Sequence, residues 1–137
     1  RAHIAATPIW SDLIHPTASD RRILVVDDNA DAAASLAEVL AKIGYEVATA
    51  HDGPSALTIA STFRPDVCLV DIGLPVMAGY ELAKQLRQSR SLPESALIVA
   101  ITGYGQEPDR HRSTEAGFNA HLVKPVDLGV LERTILN

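Results

Sequence analysis

Apolar residues along this chain fall into short unbroken runs that alternate with longer stretches in which they recur every three or four positions. Ile23-Leu24-Val25-Val26 is such a run, and it stops abruptly at Asp27-Asp28. A continuous apolar run of strand length is expected of a strand covered on both faces, as in a parallel sheet. Leu36, Leu40 and Ile43 then recur at helical spacing, and Gly44 supplies a residue suited to a left-handed helix end, which predicts a helix over 30–43. Tyr45 to Ala50 reads as a second strand and Asp52-Gly53 as a turn. Pro54 opens a helix that continues to about Thr62. Val67 to Asp71 is a third strand that also ends in an acid. Leu82 and Leu86 mark the helix after Gly79, Leu97 to Ile101 is a fourth strand, and Ala120 to Val123 a fifth. Leu128, Leu131 and Ile135 form the stripe of a final helix.

Strands and helices in strict alternation predict an α/β domain, a (βα)5 doubly wound parallel sheet with right-handed crossovers. In such sheets the working site lies beyond the carboxyl ends of the strands, where the strand order reverses. The fourth helix, over 106–116, departs from the pattern. It carries Pro108 and mostly polar residues, with Ala116 almost its sole apolar anchor, so it should be held weakly and exchange its amides sooner than the others. Residues 1–20 show no sustained period and read as a linker or tail, with the domain proper over 21–137. Within that tail Ile9, Trp10, Leu13 and Ile14 share one helical face between Pro8 and Pro16.

Composition narrows the function classes. The chain has 137 residues, 47% apolar and 21% charged, which is the balance of a single globular domain. No apolar run reaches the roughly 20 residues that span a bilayer, and no secretory leader is visible, so a cytoplasmic domain without membrane contact is expected. A formal charge of −5, with Arg110-His111-Arg112 the sole basic cluster, disfavours nucleic acid as a partner. The single cysteine, Cys68, sits inside the third strand and reads as a core thiol. A chain that begins at Arg1 suggests a piece of a longer protein.

The strand ends carry the candidate chemistry. Asp27 and Asp28 follow the first strand and Asp71 ends the third, so a parallel sheet brings three carboxylates to one edge. Mutual repulsion there is relieved by a divalent cation, and all-oxygen ligation suits Mg2+ or Mn2+. Asp28 or Asn29 could alternatively serve only to cap the helix that follows. Thr102 ends the fourth strand and Lys124 follows the fifth. A carboxylate nucleophile, a cation site, a hydroxyl and an ammonium are the parts that bind a phosphoryl group and stabilise its transfer.

The stretches Ile23-Leu24-Val25-Val26-Asp27-Asp28-Asn29, Val70-Asp71-Ile72-Gly73-Leu74-Pro75-Val76-Met77, Ile101-Thr102-Gly103 and Val123-Lys124-Pro125, in that order and spacing, resemble the receiver domains of two-component response regulators over about residues 21–136. The resemblance implies a flavodoxin-like strand order 2-1-3-4-5 and a phosphorelay function. Asp71 would accept a phosphoryl group from phosphohistidine on a histidine kinase or a histidine phosphotransfer domain. Asp28, Asp71 and the Gly73 carbonyl would bind Mg2+, with Asp27 acting through water. Thr102 would hold a phosphoryl oxygen, Lys124 would pair with the phosphate, and the Lys124-Pro125 bond would be cis. The isolated domain would not act as an enzyme beyond its own phosphorylation and dephosphorylation. Its output would be expressed on the face of the fourth helix, fifth strand and fifth helix, through which a homodimer could also form.

Two positions depart from the family's pattern. Ala78 replaces the acid that usually starts the third helix, which removes a cap worth about 1 kcal/mol. His121 stands where many receivers carry a switching Tyr or Phe, either as a titratable switch or as an ordinary strand histidine. Gly73 and Tyr104 flank the site where the family tunes phosphate lifetime. The stretches 102–106 and 120–127 resemble receivers attached to hybrid sensor histidine kinases, the preferred parent; a stand-alone receiver acting as a phosphate shuttle or binding module is the alternative. A phosphohydrolase of the haloacid-dehalogenase type would need a second acid two residues after the nucleophile, where this chain has Gly73.

Overall fold

Alternate residues of the central strands point to opposite faces, and nearly all of them are apolar, so the sheet needs a helical layer on each side. The computed structural model describes residues 21–74, 77–103 and 110–136 and meets that need. Its elements run β1 (Arg22–Val26), α1 (Ala30–Ile43), β2 (Glu46–Ala50), α2 (Gly53–Phe63), β3 (Val67–Asp71), α3 (Gly79–Gln88), β4 (Leu97–Thr102), α4 (Arg110–Ala116), β5 (Ala120–Val123) and α5 (Leu128–Leu136). All strand pairs are parallel, in the order β2-β1-β3-β4-β5.

The period of two divides the core. Leu24, Val26, Cys68, Val70, Ile98 and Ala100 face α2, α3 and α4, where Ala56, Ala60, Leu82, Leu86 and Ala116 meet them. Ile23, Val25, Val67, Leu69, Val99 and Ile101 face α1 and α5, against Leu40, Leu131 and Ile135. Small residues on α2 let that helix lie close to the sheet. Burial pushes the Cys68 thiol up to about 12, which makes it an inert packing group.

Local chemistry sets the helix ends. The Asn29 side chain accepts from the Ala32 amide at 3.1 Å and caps α1, which closes at Gly44 with φ of 126°. The cap of α1 is therefore Asn29, which leaves Asp28 available for the sheet edge. Asp52 caps α2 by accepting from the Ser55 amide at 2.7 Å, and that hydrogen bond holds its carboxyl below the ordinary range. At the start of α3, Ala78 makes no side-chain cap, as its residue type requires.

One expectation shifts. Leu128 does not belong to the buried stripe of α5. It stands at the first turn, 37% exposed, while Leu131 and Ile135 are fully buried. The described part of α4 buries Ser113 beside Ala116, and the Ser113 hydroxyl finds no hydrogen-bond partner among the described residues. Its apolar anchoring is as sparse as the sequence suggests. Two fastenings that periodicity does not reveal hold it nevertheless: Arg112 stacks on the Tyr80 ring at 4.4 Å, and Arg87 clasps the turn after it. The tail over 1–20, Pro108 and Tyr104 lie outside the described residues.

Candidate functional site

β1 and β3 are neighbours whose outer partners, β2 and β4, lie on opposite sides, so the strand order reverses between them and their carboxyl ends diverge into a crevice. The register pairs Val26 with Val70, which sets Asp27 beside Asp71. It also pairs Asp71 with Ile101 and Thr102 with Val123, so Thr102 and Lys124 each follow one step beyond the neighbouring strand. The order of strands and a single in-register stagger thus gather residues from four elements.

Oxygens of Asp27, Asp28 and Asp71 lie within 4.8 Å of one another. Asp27 and Asp71 are almost covered, whereas Asp28 is exposed. The Lys124 ammonium bridges the covered pair, donating to Asp27 Oδ2 at 2.9 Å and to Asp71 Oδ2 at 3.3 Å. Desolvation alone would depress the Lys124 pKa. The Asp27 hydrogen bond and the charges of Asp71 and Asp27 outweigh it and hold the ammonium above its ordinary value. One cation facing three acids leaves the cluster net negative. The other oxygens are aimed by the backbone: Asp27 Oδ1 accepts from the Asn29 amide at 2.9 Å and Asp71 Oδ1 from the Gly73 amide at 2.8 Å.

Behind Asp71 the chain is packed tightly. The Gly79 amide donates to Ile72 O at 3.1 Å, and a Cβ at Gly79 would stand 2.6 Å from Ile72 Cα and 2.9 Å from Asp71 O. The first turn of α3 therefore braces the backbone of the acid, a role that only glycine fits. Met77 covers Gly53 at the start of α2 and ties down the far side of the same loop.

The remaining sequence candidates are placed as follows. Thr102 is fully buried at the edge, and its hydroxyl is directed to Leu122 O of β5 at 3.4 Å rather than to a carboxylate. Gly73 is exposed in the turn after Asp71. The Lys124-Pro125 bond is cis. His121 is half-buried on the α4 side of β5, with its ring 6.3 Å from that of Phe118, which in turn meets Tyr80 edge-on at 6.0 Å. Sequence reasoning missed the bracing by Gly79 and the direct contact of Lys124 with Asp27. The first had a signal in a glycine at the opening of a helix; the second had none, because 97 residues separate the partners.

An open parallel α/β domain with a carboxylate cluster and a lysine at its topological switch point defines a class built to handle an oxyanion with a hard cation. Within that class, the chain belongs to the response regulator receiver domain family, whose model matches residues 23–136. It is 38% identical over 117 residues to the sensor histidine kinase RcsC of Salmonella typhimurium, covering 85% of this chain and 12% of that protein. To the transcriptional regulatory protein PrrA of Mycobacterium tuberculosis it is 39% identical over 110 residues, covering 80% of this chain and 46% of that one. The chain thus spans only a fraction of these relatives. Among solved structures it is similar to the chemotaxis protein CheY4 of Vibrio cholerae, with a TM-score of 0.77, 31% identity and coverage of 85% and 96% of the two chains. The receiver domain of the sensor histidine kinase PA1611 from Pseudomonas aeruginosa, solved with magnesium coordinated in its active-site cleft, matches with a TM-score of 0.70, 31% identity and coverage of 84% and 93%. The sheet order, the fold class and the two-component family expected from sequence are therefore established. No helix among the described residues is long and apolar enough to cross a membrane.

Proposed function

We propose that this receiver domain accepts a phosphoryl group on Asp71 from phosphohistidine of a histidine kinase or phosphotransfer domain. The observation that carries the reading is the Lys124 ammonium held on both Asp27 and Asp71, with Asp28 exposed beside them. A carboxylate oxygen of Asp71 attacks phosphorus, the P–O bond forms as the P–N bond breaks, and the imidazole keeps the electron pair. Lys124 balances charge on the phosphoryl oxygens, and Thr102 turns its hydroxyl from Leu122 O toward one of them.

The oxygen-only, net negative donor set fits Mg2+, or Mn2+ in its place. Asp28, Asp71 and the Gly73 carbonyl would hold the ion, with Asp27 acting through water. When bound, it would neutralise charge on the transferring group. Gly73 stands where a hydrolase would need its general acid, so turnover of external substrates is not part of this reading. Residues 1–20 act as linker or tail to the domain over 21–137.

The match to a stretch of sensor histidine kinases supports a hybrid sensor histidine kinase as the parent, and a cytoplasmic location goes with that reading. A transcriptional regulator is the second reading. The changed state is read on the face of α4, β5 and α5, where a homodimer would also form, and His121 takes part in the switch. Unchanged His121 chemical shifts on forming a beryllofluoride complex would remove His121 from that role. The central test is incubation with Mg2+ and acetyl phosphate. Wild type should gain one acid-stable, base-labile phosphate and Asp71→Asn none; equal labelling of both, or of neither, would overturn the assignment.

A further inference from the structure

Between α1 and the start of α5 lies a groove of about 640 Å³. That volume falls within the roughly 300–1,000 Å³ typical of small-molecule sites. Its floor is one face of the sheet, at Val25, Leu69 and Ile101, and its walls are Leu36 and Val39 on one side and Leu128 on the other. Val39 and Leu128 are each 37% exposed, so the apolar lining reaches the rim on both walls and would lose water to any apolar body laid between them.

One end of the groove differs from the rest. Asp27 and Lys124 bound it there, and the Lys124 ammonium already donates to Asp27 Oδ2 at 2.9 Å and to Asp71 Oδ2 at 3.3 Å. Oxygens of Asp28 and Asp71 lie within 4.8 Å of Asp27, and Asp28 is exposed. Three carboxylates against one engaged ammonium give this end a negative field among the described residues. An anionic head placed there would be repelled, and a neutral one would gain nothing from the field. An apolar groove that ends at excess negative charge is complementary to a molecule with an apolar body and a cationic head.

We propose that the α1–α5 groove binds a small amphiphile of the alkylammonium class, with its chain over Val25, Leu69 and Ile101 and its ammonium toward Asp27 and Asp28. Burial of the chain supplies the affinity, and the acids set the direction in which the molecule lies. A bound amine brings a second cation to the carboxylates, so it competes with a divalent cation for them and slows phosphoryl transfer to Asp71. That consequence rests on the receiver reading; the binding itself does not.

The probes are hexyl-, octyl- and decylammonium, each below its critical micelle concentration, with octanol and octanoate as neutral and anionic comparators. They are titrated into the full chain without metal or phosphoryl donor, and binding is followed by amide and methyl NMR signals. The expected result is a set of shifts centred on Leu36, Val39 and Leu128, with affinity rising about fourfold per added methylene, the equivalent of about 0.8 kcal/mol for each CH₂ buried. Octylammonium should bind several-fold tighter than octanol, and octanoate more weakly than either. Val39→Gln and Leu128→Gln, on opposite walls, should each weaken octylammonium several-fold, whereas Val123→Gln, at an exposed apolar residue that does not line the groove, should not. Asp28→Asn should weaken octylammonium and leave octanol unchanged. Far-UV circular dichroism checks that each variant is folded. Shifts scattered over the surface, affinity that does not grow with chain length, octanoate bound as tightly as octylammonium, or wall substitutions without effect would each overturn the site. Acetyl phosphate labelling with Mg2+ then tests the consequence: octylammonium should slow it in wild type and not in Leu128→Gln. Labelling that proceeds unslowed at saturating amine would overturn the competition, whereas a chain that takes no label without amine would fail the receiver reading instead.

Discussion

Among the described residues Arg87 has no acidic partner and yet is one of the most heavily engaged side chains. Its Nη1 donates to Ala96 O at 2.9 Å, its Nε and Nη2 to Gly117 O at 3.2 and 3.0 Å, and Nη2 also to Asn119 Oδ1. Asn119 Oδ1 is shared with the Ile98 amide at 2.8 Å. One guanidinium from the end of α3 therefore joins the loop before β4, the C-terminus of α4 and the residue before β5. Partial burial lowers its pKa, against a smaller opposing contribution from Cys68, but leaves it charged throughout the accessible range.

Arg87→Met keeps much of the aliphatic packing and removes every donor. Charged hydrogen bonds contribute about 1.5–3 kcal/mol each, but the two to Gly117 O share one acceptor and the site is partly open to water. Recovered hydration of the lost guanidinium offsets part of the remainder. The net cost should be about 2–4 kcal/mol, equivalent to a fall in Tm of roughly 10 °C for a domain of this size. Arg87→Lys should recover less than half, because a single ammonium cannot reach three separated acceptors at once. Urea unfolding gives the stability, and amide exchange locates the effect: protection should fall in α4 before it falls in α1. A Met variant within about 0.5 kcal/mol of wild type, the spread of ordinary surface substitutions, would refute the reasoning.

Gly79→Ala should cost about 2 kcal/mol or more and slow phosphorylation, because the new methyl meets the backbone of Ile72 and Asp71, not a side chain that can turn away; urea midpoints and acetyl phosphate labelling test both parts. Ala78→Asp should add about 1 kcal/mol, since the residue already has the extended backbone of an N-cap, with φ of −61° and ψ of 152°, and lacks only the acceptor. Lys124 has a folded pKa raised above 10.5, so its contribution is complete below that value and is lost as pH rises through the folded one. The urea-midpoint gap between wild type and Lys124→Met should stay constant from about pH 8 to about pH 10 and narrow above it, a comparison that cancels the separate loss from Tyr45, whose burial raises its phenol pKa. A gap that widened above pH 10.5 would reverse the assigned sign.

The sheet was legible because its information is local. The runs ending at Val26, Asp71 and Thr102 are too apolar for any place but the middle of a parallel sheet, and Gly44 and Pro54 mark helix ends by backbone chemistry alone. The acids were legible for the same reason, since parallel strands put their carboxyl ends at one edge. What the pattern hides is where side chains go after leaving that edge. Thr102 stands at its expected position with its hydroxyl directed into the sheet, and Leu128 has the spacing of a core residue but forms the rim of a groove. Sparse apolar residues in α4 suggested weak attachment. Arg87 and the Arg112–Tyr80 stack attach it by contacts that have no period to detect.

Lys124 shows how the unread part is organised. Between β5 and β1 lie three strand spacings, about 14 Å, which is more than a lysine side chain can span. Its 2.9 Å contact with Asp27 therefore requires the turn after β5 to lean inward over the ends of β4 and β3. The same inward course carries Pro125, Val126 and Leu128 to the wall of the groove opposite α1. The ion pair at the site and the width of the groove are thus two consequences of one backbone path. The turn that places Lys124 against Asp27 thus also places Leu128, so the charged strand ends and the apolar wall opposite α1 share one short stretch of backbone.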